Sequence, residues 1–581
     1  MADPRLIASL GTVDDLVTRA SDWIASDPDE STRVALQDIV DSGDETRLAS
    51  HVDGTLSFGT AGIRGEVGPG PARMNRAVVI RTTKGLADYL IDRDGGANIG
   101  PVILGFDARP SSRQFAEDTA GVLLAAGFAV YYFPIVTPTP LVAFATKHFD
   151  AVASVVVTAS HNPPADNGYK VYDANGAQII SPVDTAIASA IELAPGASSV
   201  PKVSSAFDGS HQGIRKLGDE VFEAYWVEVD AVRPAATSSD LTVVYTPMHG
   251  VGTATVEEVF RRGGHSRLLT VPSQAKPDGL FPTVSFPNPE EPGALDLAED
   301  LAREVGADLI LANDPDADRL AVEVPFEGGW RALSGNEIGV LLGDYMLRNT
   351  TDDVTPIVLN SIVSSPMLGQ LAAFHGAHHE ATLTGFKWIA NAGLALESKG
   401  VGKFVFGFEE ALGYTIGRVV RDKDGISAAL VFTDLAAGLR DSGSSIVDRL
   451  AELWLRHGLW VSTQRSVVKS GADGAEQIQR AVGALGDDPP GQVGEYEVSK
   501  VVDYRVGAAE RPPWLGAQSL IELELGDGGR ILVRPSGTEP KLKIYVDLRG
   551  PLVGDPMSAH RDLLAKAERL AGLVVDALEF D

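Results

Sequence analysis

The sequence contains no cysteine, although it runs to 581 residues. Disulfide bonds, thiolate metal ligands and a cysteine nucleophile are therefore excluded. It also lacks any apolar run of the ~18 residues that a membrane helix needs, and its N-terminal segment does not join a basic stretch to an apolar one. We expect a soluble, cytoplasmic protein with no signal peptide and no membrane partner.

Positive charge is scarce as well. Lys and Arg number 49 against 79 Asp and Glu, which gives a formal net charge of −30. Because nucleic acids are bound by neutralising their phosphates, this surface argues against a nucleic-acid partner. It would also repel a small anionic substrate, so a phosphate ester would require cations gathered locally. The distinctive loops described below contain candidates, namely Arg64, Lys170, Arg319, Lys387 and Arg534.

The composition is that of a large globular protein, with 44% hydrophobic and 22% charged residues. A typical length of about 150 residues per domain predicts roughly four domains. Residues 1–50 have apolar positions at helical spacing, which predicts a helical N-terminal segment. Breaks in the later pattern place the predicted domains at 51–205, 206–328, 329–457 and 458–581.

Short apolar runs that end in polar loops recur along the chain, each followed by an amphipathic stretch. They begin at Pro101, Ala151, Leu241, Ala307 and Lys403. Strands that alternate with helices predict α/β domains with mixed, mainly parallel sheets, in which ligands bind where the strands end. The last domain differs, because residues 530–548 alternate across a tight turn. This pattern predicts an antiparallel hairpin within an α+β domain.

The loop TASHNPP directly follows a predicted seven-residue strand, 151–157, and presents Ser160 at the strand end. Two prolines stiffen this loop, although Ser, Asn and Pro are also common in ordinary turns. A serine hydrolase fits less well, because the G-x-S-x-G elbow is absent and His161 would point away from Ser160 in an extended chain. Lys170 could act as a general acid or base if burial or neighbouring cations lower its pKa.

The loop NDPDADR follows another apolar strand and places Asp314, Asp316 and Asp318 at alternate positions of an extended segment. Three crowded carboxylates are costly unless a hard cation lies among them, with a solvated turn as the alternative. An EF-hand is excluded, because Arg319 and Pro325 stand where its Gly and Glu should be. Carboxylate ligands with open coordination positions suit Mg²⁺ in phosphoryl transfer.

Two further loops carry candidate ligand-binding groups. RPSGTEP, at the turn of the C-terminal hairpin, offers a guanidinium, two hydroxyls and free backbone amides to a phosphate, although such a sequence is often only a turn. GFEEALGY, from Gly407, has paired glutamates after an apolar strand. These are surface charges, glycosidase carboxylates or acceptors for sugar hydroxyls, and composition leaves all three open.

In this order the loops resemble those of the α-D-phosphohexomutase superfamily, the phosphoglucomutases and phosphomannomutases, and most closely its long phosphoglucomutase-2-like branch. TASHNP and RPSGTEP are specific in combination, and DPDADR resembles the family's D-G-D-x-D-R metal loop. The resemblance implies three α/β domains and a C-terminal α+β domain around a central cleft. It also implies an isomerase that interconverts hexose 1-phosphate and hexose 6-phosphate of glucose or mannose through a phosphoserine and a bisphosphorylated sugar.

The resemblance also implies roles by position. It assigns catalysis to the phosphoserine Ser160, together with His161, Lys170, Arg64 and Arg319. One Mg²⁺ per chain falls to Asp314, Asp316, Asp318 and a phosphoserine oxygen of Ser160. Substrate binding falls to Gly385, Lys387, Glu409, Arg534, Ser536, Gly537 and Thr538. The implied partner is a small sugar phosphate, the implied activator is glucose 1,6-bisphosphate or a similar sugar bisphosphate, and we expect a monomer or homodimer.

Two positions depart from the family pattern. Ala411 stands where many members have Ser in Glu-x-Ser, and Pro315 stands where Gly is common. The first departure leaves the sugar open, so a phosphopentomutase acting on ribose or deoxyribose 1-phosphate is the nearest alternative. A metal-dependent phosphatase and a non-catalytic sugar-phosphate sensor are alternatives from other classes, and the retained catalytic side chains argue against the sensor.

Overall fold

The computed structural model describes residues 12–96, 100–350, 353–469, 474–526, 528–536 and 541–578. The chain divides into two compact units. The first runs up to Val232 and includes Asp240–Ala321 and Val419–Leu430, and the second comprises Arg233–Ser239, Val322–Arg418 and the chain from Val431 onward. No helix of the described residues is both long enough and apolar enough to cross a membrane.

Of the N-terminal segment predicted to be helical, residues 1–11 lie outside the described residues, and the rest forms three helices. It contains α1 (Val13–Ser26), α2 (Glu30–Ser42) and α3 (Glu45–Val52). A capping box between Thr12 and Asp15 begins α1, since each residue satisfies a backbone amide of the other. The apolar faces of all three helices join the core of the first unit.

The first sheet of the first unit has the strand order β1-β5-β4-β2-β3-β6. Its strands are β1 (Ile63–Glu66), β2 (Val102–Phe106), β3 (Val130–Tyr132), β4 (Ala153–Val157), β5 (Asp166–Asp173) and β6 (Ile214–Lys216). The helices around it are α4 (Arg76–Arg93), α5 (Ser112–Ala125), α6 (Thr139–His148), α7 (Val183–Leu193) and α8 (Asp219–Val232). β2, β3, β4 and β6 run parallel, whereas β5 is antiparallel to both β4 and β1. The sheet is therefore mixed and mainly parallel, as predicted.

A second parallel group follows in the same unit. It consists of β7 (Val243–Thr246), β8 (Leu268–Thr270) and β9 (Leu309–Ala312), with α9 (Thr253–Gly263) and α10 (Asp296–Val305). β7 pairs with both of the others. β4 and β9 are buried along their whole length, which matches their continuous apolar sequences. β4 has five residues rather than the predicted seven, because the amide of Ala151 instead bonds back to Thr146 at the end of α6.

An antiparallel hairpin follows, formed by β10 (Ala321–Phe326), whose first residue still belongs to the first unit, and β11 (Gly329–Ala332) of the second unit. The α/β part of the second unit has the strands β12 (Pro356–Ser361), β13 (His378–Thr382), β14 (Lys403–Glu409) and β15 (Gly413–Ile416). The helices are α11 (Gly335–Asn349), α12 (Met367–His375), α13 (Phe386–Ser398), α14 (Gly425–Asp441), which begins in the first unit, and α15 (Ile446–His457). β12 runs parallel to β13 and β14, and β15 closes the sheet antiparallel to β14.

The C-terminal part is an antiparallel sheet with two helices. The strands are β16 (Leu459–Val468), β17 (Gln492–Val493), β18 (Tyr496–Asp503), β19 (Ile521–Leu525), β20 (Arg530–Pro535) and β21 (Lys541–Gly550), and the helices are α16 (Gly474–Asp487) and α17 (Pro556–Ala577). β20 pairs with β21 in the register that aligns Arg534 with Lys543. The predicted α+β class and antiparallel hairpin are confirmed, and the fold class is α/β with this C-terminal addition.

Candidate active site

Ser160 lies three residues past the end of β4, where the backbone has a positive φ of 52°. Its amide donates a hydrogen bond to Thr158 Oγ1, and its hydroxyl lies 3.2 Å from Nδ1 of His161. The prediction that His161 points away from Ser160 is therefore wrong. That prediction assumed an extended chain, whereas the left-handed conformation of Ser160 turns the two side chains toward each other.

The Asp loop also turns rather than running extended. Ala317 has a φ of 58°, and its amide donates to the carbonyl of Asp314 at 2.8 Å. As a result the three carboxylates converge, since one oxygen from each of Asp314, Asp316 and Asp318 lies within 4.8 Å of the others. The extended geometry expected from the sequence is wrong, but the alternating spacing still brings the three side chains together.

Ser160 and the Asp loop meet within the first unit. The Ser160 hydroxyl donates to Oδ2 of Asp314 at 2.8 Å, and both residues are buried. Burial raises the pKa of the Asp314 carboxyl well above its usual value, and the nearby carboxylates of Asp316 and Asp318 raise it further. The site therefore concentrates negative charge beside a hydroxyl, an arrangement that requires cations.

Two lysines supply part of that positive charge. Lys170, on β5, places Nζ 2.7 Å from Asp316 and 3.0 Å from Asp318. Burial would lower the pKa of Lys170, but these two carboxylates hold it above its usual value. The cations Lys423 and Arg64 also lower the pKa of Lys170, but the two carboxylates outweigh burial and these cations, so its pKa is raised and not lowered. Lys423 also contacts Asp318, at 3.2 Å.

The carboxylate cluster fits a hard cation. Among the described residues, Oδ1 of Asp316 and Oδ1 of Asp318 are buried and have no hydrogen-bond donor. Their Oδ2 atoms are already held, that of Asp316 by Lys170 and the hydroxyl of Thr139, and that of Asp318 by Lys170. Buried carboxylate oxygens without donors are unfavourable unless a cation satisfies them, and an all-oxygen donor set favours Mg²⁺ over softer metals.

The two predicted arginines also lie at this site. Arg64, on β1, donates from Nη1 to the side chain of Asn162 in the Ser160 loop at 2.8 Å. Burial lowers the pKa of Arg64, and the neighbouring Arg109 and Arg319 lower it further, which indicates a cluster of cations. The amide of Arg319 donates to Oδ1 of Asp314, and its Nε is buried without a partner among the described residues.

The predicted substrate-binding residues that the structure describes all belong to the second unit. Gly385 has a φ of 112°, which favours glycine, and its amide donates to Oε1 of Glu409 at 2.6 Å. Arg534 donates to the hydroxyl of Thr384, next to Gly385, and so joins the C-terminal hairpin to the loop before α13. Lys387 and Ser536 are half-buried in the same unit. Gly537 and Thr538 lie outside the described residues.

The sequence did not reveal two charged residues at the site. Arg109 follows β2 and donates four hydrogen bonds to the backbone of the Ser160 loop. Its position after a buried strand, in the segment FDARPSS, was the available signal. Lys423 reaches Asp318 from a segment about 100 residues away in sequence, and no local pattern marks such a contact.

Models of one protein family match most of the chain. The phosphoglucomutase/phosphomannomutase α/β/α domain I matches residues 55–195, domain II matches 222–325, domain III matches 334–456, and the C-terminal domain matches 497–549.

Individual relatives span nearly the whole chain. A Haemophilus influenzae protein named "Probable phosphomannomutase" is 41% identical over 501 residues, covering 84% of this chain and 95% of its own length. The phosphopentomutase of Mus musculus is 36% identical over 576 residues, covering 94% of this chain and 92% of the mouse protein. The crystal structure of parafusin, a phosphoglucomutase from Paramecium, has a similar fold, with a TM-score of 0.66 at 18% identity over 89% of this chain and 95% of parafusin. The chain therefore belongs to the phosphoglucomutase/phosphomannomutase family of the α-D-phosphohexomutase superfamily, whose members are phosphomutases, that is, intramolecular phosphotransferases.

Proposed function

We propose that this chain interconverts hexose 1-phosphate and hexose 6-phosphate, with glucose, mannose or both as the sugar, and that Ser160 carries the phosphoryl group. One observation supports this most strongly. The Ser160 hydroxyl lies 2.8 Å from Asp314, inside a group of buried carboxylates that fits a divalent cation. A nucleophile, a metal position and clustered cations are the components that phosphoryl transfer requires.

In the proposed cycle, phosphorylated Ser160 meets a sugar monophosphate. The free sugar hydroxyl attacks phosphorus, so that a new sugar O–P bond forms while the bond from phosphorus to Ser160 Oγ breaks, and the hydroxyl gives up its proton. The bisphosphorylated sugar then reorients and presents its other phosphate to Ser160. The second transfer reverses the first, which leaves Ser160 phosphorylated and the sugar monophosphate isomerised.

Side chains of the first unit suit these steps. Burial lowers the pKa of His161 well below its usual value, and Arg319 and Arg64 lower it further, which favours the neutral imidazole, the form that can accept the hydroxyl proton. Arg64 and Arg319 are placed to offset phosphoryl charge. Lys170, charged and bound to Asp316 and Asp318, orients the carboxylates.

Asp314, Asp316 and Asp318 would hold one Mg²⁺, together with an oxygen of the phosphorylated Ser160. When bound, Mg²⁺ offsets negative charge on the phosphoryl oxygens. We assign sugar and phosphate binding to residues of the second unit and the hairpin tip, namely Gly385, Lys387, Glu409, Arg534, Ser536, Gly537 and Thr538. A sugar bisphosphate such as glucose 1,6-bisphosphate would act as activator by phosphorylating Ser160.

A second candidate is the same chemistry on a pentose. The mouse phosphopentomutase shares 36% identity over 94% of this chain, and Ala411 replaces a residue that many hexose enzymes have as Ser. A phosphopentomutase acting on ribose or deoxyribose 1-phosphate would use the same Ser160 relay. The two candidates differ only in the sugar that the second unit accepts.

A substrate panel distinguishes these candidates. Purified full-length protein with Mg²⁺ and catalytic glucose 1,6-bisphosphate is given glucose 1-phosphate, mannose 1-phosphate or ribose 1-phosphate, and both isomer and inorganic phosphate are measured. We expect isomer formation to exceed phosphate release, with a hexose preferred. Preference for ribose 1-phosphate would establish the pentose alternative. Phosphate release without isomer would identify a phosphatase, and neither product from any sugar would contradict the proposal.

A further inference from the structure

Arg109 is a buried arginine that bonds to the Ser160 loop at several points. It is only 3% exposed. Nη2 donates to the carbonyls of Ser160 at 2.8 Å and Asn162 at 2.6 Å, and Nη1 donates to those of Pro163 at 2.6 Å and Asp166 at 2.9 Å. A single guanidinium thus connects four backbone positions of the loop.

The carboxylate of Asp107 fixes the orientation of the Arg109 guanidinium. Its Nε donates to Oδ2 of Asp107, and the backbone amide of Arg109 donates to Oδ1 of the same carboxylate. Asp107 is held in turn by the hydroxyl of Ser112, at the start of α5. All five N–H donors of the guanidinium are therefore engaged with protein atoms, which leaves none to bind a substrate phosphate.

Arg109 also connects the Ser160 loop to the part of the first unit that carries the Asp loop. Its guanidinium lies over the ring of Phe281, 5.2 Å from the ring centroid. Gly279 packs against the backbone of Arg109 so closely that a Cβ added to Gly279 would lie 2.3 Å from the Cα of Arg109. The side chain thus links the backbone around Ser160 to the segment before α10, within one compact unit.

The four hydrogen bonds from Arg109 to the loop backbone, called the Arg109 clamp below, surround a residue with a strained backbone. Ser160 has a φ of 52°, a conformation that residues with a Cβ rarely adopt, and it persists only where the surroundings enforce it. The carbonyl of Ser160 itself accepts one of the Arg109 bonds. Because that same conformation directs the hydroxyl toward Asp314, the Arg109 clamp and the nucleophile geometry are coupled.

We propose that Arg109 is a positioning residue for phosphoryl transfer, one that holds Ser160 in its left-handed conformation and at its distance from the three aspartates without contacting substrate. This inference rests on the proposed function, because it assigns Arg109 to the Ser160 relay. Arg64 and Arg319 differ from it, since Arg64 donates to the Asn162 side chain and not to the loop backbone, and Nε of Arg319 has no hydrogen-bond partner among the described residues.

The test is Arg109→Lys in the full-length protein. Lysine keeps the charge but cannot make a planar set of five hydrogen bonds, so the Ser160 loop loses most of its hydrogen bonds to residue 109. Small misplacements of reacting groups are costly, and we expect kcat with glucose 1-phosphate to fall by about 10- to 100-fold. KM should stay within about threefold of wild type, because no substrate contact is lost. The rate of single-turnover transfer from phosphorylated Ser160 should fall with kcat.

Arg76→Lys is the matched control. Arg76 makes a paired, partly buried contact with Asp118, away from the site. This variant should lose thermal stability but keep wild-type kcat per folded molecule, with the folded fraction measured by circular dichroism. Arg109→Lys behaving in the same way, with kcat within about twofold of wild type, would show a merely structural role and overturn the inference.

A second variant decides the matter if Arg109→Lys does not fold. Phe281→Leu removes the ring beneath the guanidinium while leaving its five hydrogen-bond partners, so we expect a smaller but measurable fall in kcat with unchanged KM. Unchanged kcat in that variant would overturn the inference. Wild-type protein is run alongside, and if it neither isomerises the sugar nor carries phosphate on Ser160, the proposed function fails instead.

Discussion

The site around Ser160 and the loops of the second unit are built differently. Around Ser160, the serine itself, Lys170 and the three aspartates are buried and bonded to one another, with Lys170 contacting two aspartates and Ser160 a third. Arg64, His161 and Arg319 are half-buried beside this buried cluster. In the second unit, Gly385, Lys387, Glu409, Arg534 and Ser536 are all half-buried.

This contrast indicates which part of the molecule can change during evolution. A buried, charge-matched cluster does not tolerate substitution, because each lost partner leaves a charge unpaired. Half-buried loops can alter their contacts at lower cost. The two relatives described above are named for mannose and for pentose chemistry, and Ala411, which departs from the common hexose pattern, lies in the second unit. We therefore expect substitutions near Ser160 to remove activity and substitutions in the second unit to change sugar preference.

The largest effect should follow Ser160→Ala. Without the hydroxyl no phosphoryl relay is possible, so kcat should fall on the order of 10⁴-fold or more. Stability should change by only about 1 kcal/mol, the typical net contribution of one hydrogen bond. Ser154→Ala is the matched control, because Ser154 is a buried, hydrogen-bonded serine on β4 outside the site. Equal kcat in the two variants would contradict the role of Ser160.

Asp316→Asn should have the next largest effect. The change removes one carboxylate from the proposed metal site and weakens the hold on Lys170. Residues that merely support metal ligands affect affinity by about 10- to 100-fold, so loss of a ligand should weaken Mg²⁺ binding by about 100-fold or more. Isothermal titration calorimetry measures this directly. Asp308→Asn, an exposed aspartate next to the opposite end of β9, should bind Mg²⁺ as wild type does, and equal affinity of the two variants would exclude the site.

Glu409→Gln should have the smallest effect on chemistry and a distinct effect on selectivity. Glutamine can still accept from the Gly385 amide but loses the charge that favours sugar hydroxyls. Loss of one charge-assisted hydrogen bond predicts a fall of about 10- to 100-fold in kcat/KM, with the ranking of sugars altered.

The neighbouring Glu410 provides the comparison for that variant. Its carboxylate already accepts hydrogen bonds from Ser361 and Ser364, so Glu410→Gln should change the ranking of sugars by kcat/KM less than Glu409→Gln does. An unchanged ranking in Glu409→Gln, or a greater change in Glu410→Gln, would remove the contrast between the two units.

Local patterns predicted the elements well. Helical spacing predicted α1 to α3, and alternation predicted the β20–β21 hairpin, because each pattern reflects the burial of one face of a single element. The Asp triad followed from its spacing. The local geometry did not, since the positive φ values of Ser160 and Ala317 depend on contacts that a short sequence window does not contain.

Long-range contacts explain the residues that the sequence did not reveal. Arg109 reaches the Ser160 loop from the segment after β2, and Lys423 reaches Asp318 from the segment before α14. Neither residue lies in a motif that signals chemistry. Arg109 became recognisable only when the ends of β2 and β4 were placed side by side, since parallel strands bring residues that are distant in sequence to one edge of a sheet. Lys423 follows no parallel strand, and only the folded chain brings it to Asp318.

The central claim is that Ser160 relays the phosphoryl group, and single-turnover mass spectrometry tests it most directly. Protein treated with glucose 1,6-bisphosphate is freed of ligand, confirmed by peptide mapping to carry one phosphate on Ser160, and then mixed with equimolar glucose 1-phosphate and Mg²⁺. We predict that the protein loses this phosphate as glucose 1,6-bisphosphate appears in matching amount. A phosphate that stays on Ser160 while isomer forms, or isomer formation without any phosphate on Ser160, would contradict the account.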